Sequence, residues 1–320
     1  MKQRIITAII MGTILIPALF VPALMPILEI ILFIFLICAC FEMLNMYDKK
    51  HEINFWIKLL STLFTILLYF SIVDSYKVIY SGVNSSLICR FLALFPYELN
   101  LYMVLVVVFI VLMLLSLVIK DFEIEDCGRI FLMMIYLSVT FGAFTILRSY
   151  GVRFIIYMIL ITAFTDIFAL VFGLKFGKHK MAPQISPKKT WEGAIGGSCV
   201  ATIVGVVFLI TYKYFSPAFH DGNTIEFFTG VFSVSYVYSE KIHIKIFMVI
   251  LTILMSVCGQ IGDLVASKFK RYFGIKDYSN IFPGHGGILD RFDSSLFASA
   301  TFVALIQVIA VVFPFLDSAL

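Results

Sequence analysis

LYMVLVVVFIVLMLLSLVI, residues 101–119, contains no charged side chain and is bounded by Asn100 and Lys120. At about 1.5 Å rise per residue such a run forms a helix of roughly 28 Å, close to the ~30 Å hydrocarbon thickness of a bilayer. It has no polar stripe, so as a helix it is apolar on every face, and its solvent is lipid. Working outward, runs of similar character occupy residues 5–24, 26–46, 57–73, 130–147, 154–174, 193–212, 246–265 and 296–316. The expected fold is therefore all-α: a polytopic integral membrane protein of about nine transmembrane helices. The run at 26–46 carries Glu29 and Glu42, which makes it the least regular of the set.

Composition agrees. Apolar residues make up 61% of the 320 positions, charged residues 14%, and the mean hydropathy is +1.03. A soluble domain carries about 25% charged residues, so this chain lacks the polar surface to cover a water-facing globule. The net charge is only +4, and no nucleic-acid partner is expected. Six cysteines are scattered at Cys38, Cys40, Cys89, Cys127, Cys199 and Cys258, with no CxxC spacing. They read as small apolar residues, not as a zinc site or a disulfide framework.

The 24 Lys and Arg residues set the orientation. With the N-terminus inside, the inner segments hold most of them, and the basic loops at 175–192 and 265–295 share the cytoplasmic face. The chain divides into an N-terminal membrane region at 1–150, with about five spans, and a C-terminal region at 151–320 that holds the polar motifs. The expected location is the plasma (inner) membrane, with the N-terminus and both basic loops facing the cytoplasm.

Chemistry concentrates in two segments. The first reads GDLVASKFKRYFGIKDYSNIFPGHGGILDRFDS, residues 262–294. Asp263 stands at a span end, and Asp290 and Asp293, three apart, share one helical face. Pro283, Gly284, Gly286 and Gly287 break regular structure just before them, and a glycine-rich turn feeding a helix lets backbone N–H groups approach phosphate. His285 lies within that turn. Carboxylates beside Lys268, Lys270 and Arg271 suit a metal-bound polyphosphate better than a merely solvated loop. The second segment begins at Asp166, inside the sixth run. A carboxylate at that depth costs about 2.5–3.5 kcal/mol on insertion scales and marks a site by default. Further on, Ser186–Pro187 reads as an N-cap and first helical residue, with Lys188 and Lys189 beside the free N–H groups. Gly193 and Gly197 are spaced for close helix packing within the monomer, with a homodimer seam as the alternative use of that face.

Residues 267–293 contain Ser267, Lys270–Arg271 and Lys276–Asp277, then PGHGG at 283–287 and Asp290–Arg291–x–Asp293. This run resembles the signature of the phosphatidate cytidylyltransferases, the CDP-diacylglycerol synthases. SPKKTWEG at 186–193 resembles that family's second motif. Together the matches cover roughly residues 160–300. The resemblance implies a polar cavity open to the cytoplasm and the bilayer, CTP and phosphatidic acid as substrates, and Mg²⁺, with a second cation in a two-cation centre. Asp263, Asp290 and Asp293 match the family's metal-centre carboxylates and are the expected metal ligands and catalytic residues; Asp166 joins the catalytic set on account of its depth in the sixth run. Ser186, Lys188, Lys189, Thr190, Ser267, Lys270, Arg271, Gly286, Gly287 and Arg291 are the expected substrate-binding residues, with the lysines and Arg271 as phosphate contacts, and His285 either contacts phosphate or holds the turn. Ala266 departs from the acidic residue many members carry, and Ile167–Phe168 from a small residue and glycine. A CTP-dependent polyprenol kinase and an ion-coupled transporter are the competing readings. The full PGHGGxxDRxD pattern argues against the first, and the confinement of polar residues to two loops against the second.

The charge asymmetry makes a topological prediction. A cysteine replacing Gln184 should react with an impermeant maleimide only from the cytoplasmic side. Labelling in intact cells from outside would invert the orientation.

Overall fold

The computed structural model describes residues 12–76, 87–92, 94, 99–215, 242–282 and 286–318. Its helices are α1 (Met25–Tyr47), α2 (Phe55–Ser75), the short α3 (Leu87–Leu92), α4 (Leu101–Val118), α5 (Ile124–Tyr150) and α6 (Val152–Phe176). A two-stranded hairpin follows, β1 (Lys180–Ala182) and β2 (Ser186–Thr190), then α7 (Trp191–Phe215), α8 (Ile242–Tyr272) and α9 (Leu289–Ser318). Among the described residues, seven helices are long and apolar enough to cross a membrane: α1, α2, α4, α5, α6, α7 and α8. The protein is an all-α polytopic membrane protein. The run at 5–24 falls partly outside the described residues, and the run at 296–316 lies within α9.

The chain forms two compact units. The first comprises residues 1–149 with 269–292. Its irregular run, α1, is explained by what its carboxylates meet. Glu29 is 2% exposed, and its Oε2 accepts the N–H groups of Leu87 and Ile88 at 2.7 and 3.3 Å, at the start of α3. Asp74 Oδ2 accepts the N–H of Leu99 at 2.9 Å. Glu42 is 3% exposed and accepts the N–H groups of Ile288 and Leu289 at 2.8 and 3.0 Å, and the Ser279 hydroxyl at 2.6 Å. Backbone donors at helix starts lack intrahelical partners, and lipid offers none. Each of these acids supplies the missing acceptor, and the negative charge suits a helix N-terminus. The Tyr69 and Thr145 hydroxyls are hydrogen-bonded at 2.9 Å between α2 and α5.

The second unit comprises residues 150–268 with 293–320. Here α6 and α7 lie backbone to backbone. A Cβ on Gly193 would meet the Ala169 carbonyl at 2.5 Å, and one on Gly197 would meet the Thr165 carbonyl at 2.5 Å. The small-residue face is thus used inside the unit. A buried polar ladder joins these helices to α8. Tyr157 OH meets Thr252 Oγ1 at 2.6 Å, Thr165 Oγ1 meets Ser256 Oγ at 2.7 Å, and Ser256 donates to Ser198 Oγ at 2.9 Å. Gln260 Nε2 donates to the same Ser198 oxygen at 2.9 Å. Such bonds fix helix register where the hydrophobic effect cannot.

Gly197→Val should therefore lower stability in detergent by about 1–3 kcal/mol, the usual range for overpacking. Gly128→Ala, where a Cβ would meet nothing within 4 Å, should not lower the melting transition. An unchanged transition for Gly197→Val would contradict the close approach.

Candidate active site

The segment between α6 and α7 departs from the sequence-based expectation. Ser186 and Pro187 do not start a helix; they lie on β2, which pairs antiparallel with β1 through Lys180↔Thr190 and Ala182↔Ser186. The helix begins at Trp191, capped by Thr190, whose Oγ1 accepts the Gly193 N–H at 3.2 Å. Ser–Pro satisfies the local rules for a helix start, but Thr190 satisfies the same capping role four residues on. Pairing across the hairpin makes the later start the one used. Pro187 is tolerated because a two-stranded ribbon consists only of edges. Thr190 is 4% exposed and sits against the α6 terminus: a Cβ on Gly177 would come within 2.8 Å of its hydroxyl oxygen. His179 and Glu192 tie the hairpin to α7, with Nδ1 to Oε1 at 2.6 Å and the His179 N–H donated to the same carboxylate.

This hairpin forms one wall of a cavity of ≈ 340 Å³ in the second unit. Asp166 from α6, Lys188, Lys189 and Thr190 from β2, and Gln260 and Asp263 from α8 line it, with Met181 and Ala194 among the apolar contacts. The structure thus gathers Asp166, Lys188, Lys189, Thr190 and Asp263, all singled out from sequence. Gln260 is an addition, visible beforehand only as a polar residue within an apolar run.

Lys189 Nζ stands 2.5 Å from Asp263 Oδ2. The ammonium is buried, and the contact is not aligned as a hydrogen bond, so none of its protons has a well-placed acceptor. The other Asp263 oxygen accepts the Ser267 hydroxyl at 3.3 Å, so Ser267 orients the carboxylate. Close packing brings α9 to the same place. A Cβ on Gly262 would meet the Asp293 carbonyl at 2.9 Å and the Phe297 Cβ at 2.4 Å, while Ser294 Oγ lies 3.5 Å from Asp166 Oδ2. Asp293 Oδ1 accepts the Ser294 N–H at 2.8 Å.

Asp290 belongs to the first unit and is differently placed. Its side chain is 3% exposed; Oδ1 accepts Lys270 Nζ at 2.7 Å, and Oδ2 accepts the N–H groups of Tyr278 and Gly287 at 2.8 and 2.9 Å. Lys270, expected at phosphate, is 8% exposed and held in this ion pair. The N–H groups expected to approach phosphate at this helix start are occupied as well: Gly287 by Asp290, Ile288 and Leu289 by Glu42. The acceptor arrives from a helix some 246 residues earlier in the chain, which no local motif announces. Gly286 has φ +86, a conformation that favours glycine, and exchanges backbone bonds with Phe282. Arg271 Nη1 donates to the Ile275 carbonyl at 3.2 Å. Arg291 is exposed on α9. Pro283, Gly284 and His285 lie outside the described residues.

Among the described residues no group of three or more His, Cys, Asp or Glu side chains forms a preformed metal cage. The donor set still fits a hard cation. Asp166 and Asp263 present carboxylates to one cavity that also holds two lysines, and Mg²⁺ typically takes only one or two carboxylates, completing its shell with water and phosphate. Carboxylates alone would repel a polyphosphate, so the mixture of signs suits a cation and phosphate bound together.

The model of the family described as "Cytidylyltransferase family" matches residues 2–309. A phosphatidate cytidylyltransferase of Staphylococcus haemolyticus is 38% identical over 177 residues, 55% of this chain and 57% of the relative. One from Staphylococcus aureus is 40% identical over 189 residues, 59% of this chain and 62% of the relative. The matched stretches thus span about three-fifths of the relatives' length.

Proposed function

The chain belongs to the cytidylyltransferase family, and on that premise we propose that it transfers CMP from CTP to phosphatidic acid, giving CDP-diacylglycerol and pyrophosphate for phospholipid biosynthesis. The observation that carries this reading is the cavity in which Asp166 and Asp263 face Lys188 and the buried Lys189 ammonium. The names of the relatives support the substrate pair. The plasma membrane, an inside N-terminus and a cytoplasmic site are part of the same proposal, supported by the bacterial relatives and the cation asymmetry.

The chemistry asks little of a general base. A phosphomonoester has its second pKa near 6, so the phosphatidate oxygen is largely ionised at neutral pH. That oxygen attacks the α-phosphorus of CTP, the new P–O bond forms, and the bond to the β-phosphate oxygen breaks to release pyrophosphate. The barrier is the approach of two anions. Lys189, released from Asp263, donates to the triphosphate; Lys188 adds a second positive charge at the cavity mouth. Asp263, oriented by Ser267, and Asp166 would hold the cation, with Asp293 on the adjoining turn of α9. Magnesium, when bound there, neutralises phosphate charge and stabilises the leaving pyrophosphate.

Labelled CTP, phosphatidic acid and Mg²⁺ should yield CDP-diacylglycerol and pyrophosphate together, and neither product when one substrate is omitted. Release of CDP with a phosphorylated polyprenol would overturn the proposal.

Asp263→Asn and Asp293→Asn should each cut turnover about 10²–10³-fold, the range for removing one preorganised electrostatic contact. Asp277→Asn, at an exposed loop position, should be nearly silent. Turnover within threefold of wild type for Asp263→Asn, at normal protein level and limiting Mg²⁺, would remove this carboxylate from the mechanism.

A further inference from the structure

We infer that Glu42, a buried acid of helix α1, is a positioning residue for the reaction, because its carboxylate seats Ser279 and the first residues of the helix that carries Asp290 and Asp293. The inference rests on the cytidylyl-transfer reading of the preceding subsection.

Both carboxylate oxygens of Glu42 are used. Oε1 accepts the Ile288 N–H at 2.8 Å and the Ser279 hydroxyl at 2.6 Å; Oε2 accepts the Leu289 N–H at 3.0 Å. The next donor back, the Gly287 N–H, goes to Asp290 at 2.9 Å. Three successive amides are thus divided between one distant acid and one local acid. The arrangement also explains why residue 287 is glycine. A Cβ there would meet Glu42 Oε1 at 2.4 Å and its Cδ at 2.7 Å, so the backbone can approach the carboxylate only without a side chain. Ser279 is joined to the same oxygen, so the Tyr278–Ser279 segment, which donates to Asp290 through Tyr278 N–H, is held from both ends.

Three donors facing two oxygens need a carboxylate. Glutamine would offer one oxygen and turn an NH₂ group toward a donor, leaving at least one buried group unpaired, which is costly away from water. The turn would then lose its fixed position relative to Asp290, and Asp290 its partners. An acid that only anchored α1 in the protein would have no such link to the motif, and its loss would act on folding alone.

The test is a double-mutant cycle at Glu42 and Gly287 in the full-length protein in detergent, with turnover, the half-saturating Mg²⁺ concentration and thermal melting measured on each variant. Glu42→Gln, which keeps shape, is expected to lower kcat about tenfold, in the range for one charge-assisted hydrogen bond, and to raise the Mg²⁺ requirement, with the KM for phosphatidic acid unchanged. Gly287→Ala is expected to be severely impaired alone but to cost little more on the Glu42→Ala background, because the clash is gone; strongly non-additive effects are the signature of direct coupling. Wild-type kcat and Mg²⁺ requirement in Glu42→Gln, or additive losses in the cycle, would overturn the inference. Should wild type transfer no CMP, the functional reading fails instead, and the same cycle read by melting alone still shows whether the two positions are coupled. If Glu42→Ala does not fold, the Glu42→Gln turnover and Mg²⁺ measurements decide.

Discussion

A carboxylate in a membrane protein must meet donors or a cation, because lipid offers neither. The two units answer that constraint differently. In the first, Glu29, Glu42 and Asp74 each accept backbone N–H groups at or just before helix starts, so the acids are absorbed by the fold. In the second, Asp166 and Asp263 open onto a cavity together with Lys188 and Lys189, where a ligand can complete their partners. Asp290 is intermediate: a residue of the signature whose oxygens hold Lys270 and two loop amides. The contrast separates acids that build the protein from acids that can act on a substrate, and it cannot be drawn from hydropathy, which treats all of them as interruptions.

The helical fold was legible because the signal is long. An uncharged run such as 101–119 admits one reading, and α4 follows it almost residue for residue. The cavity residues were legible for a different reason: an acid within a span and paired lysines beside it are expensive, so their presence implies use. What local rules misjudged was the hairpin. Ser186–Pro187 has the chemistry of a helix start, but Thr190 has it too, and the choice was made by strand pairing between residues ten apart. The glycine turn was misjudged for a longer-range reason. The Ile288 and Leu289 amides that follow it looked open to phosphate because the acceptor that fills them, Glu42, stands in another helix.

Close backbone approach is what shapes the cavity of the second unit. Contact of α6 with α7 at Gly193 and Gly197 sets the hairpin beside Asp166, and contact of α8 with α9 at Gly262 sets Asp263 beside the turn that carries Asp293 and Ser294. The serine, threonine and glutamine ladder then locks the register of α6, α7 and α8. Preorganisation of this kind matters most for a reaction whose barrier is electrostatic, since groups already in place need no reorganisation when charge moves.

In the proposed reaction the cavity of Asp166, Lys188, Lys189 and Asp263 seats a metal-bound triphosphate. An electron cryomicroscopy structure of the full chain with CTP and Mn²⁺, the ion chosen for its stronger scattering, tests this directly. Triphosphate density is expected in that cavity, with Lys189 Nζ moved from Asp263 to a phosphate oxygen and Asp263 turned to the cation. Nucleotide bound elsewhere, with the Lys189–Asp263 ion pair intact, would contradict it.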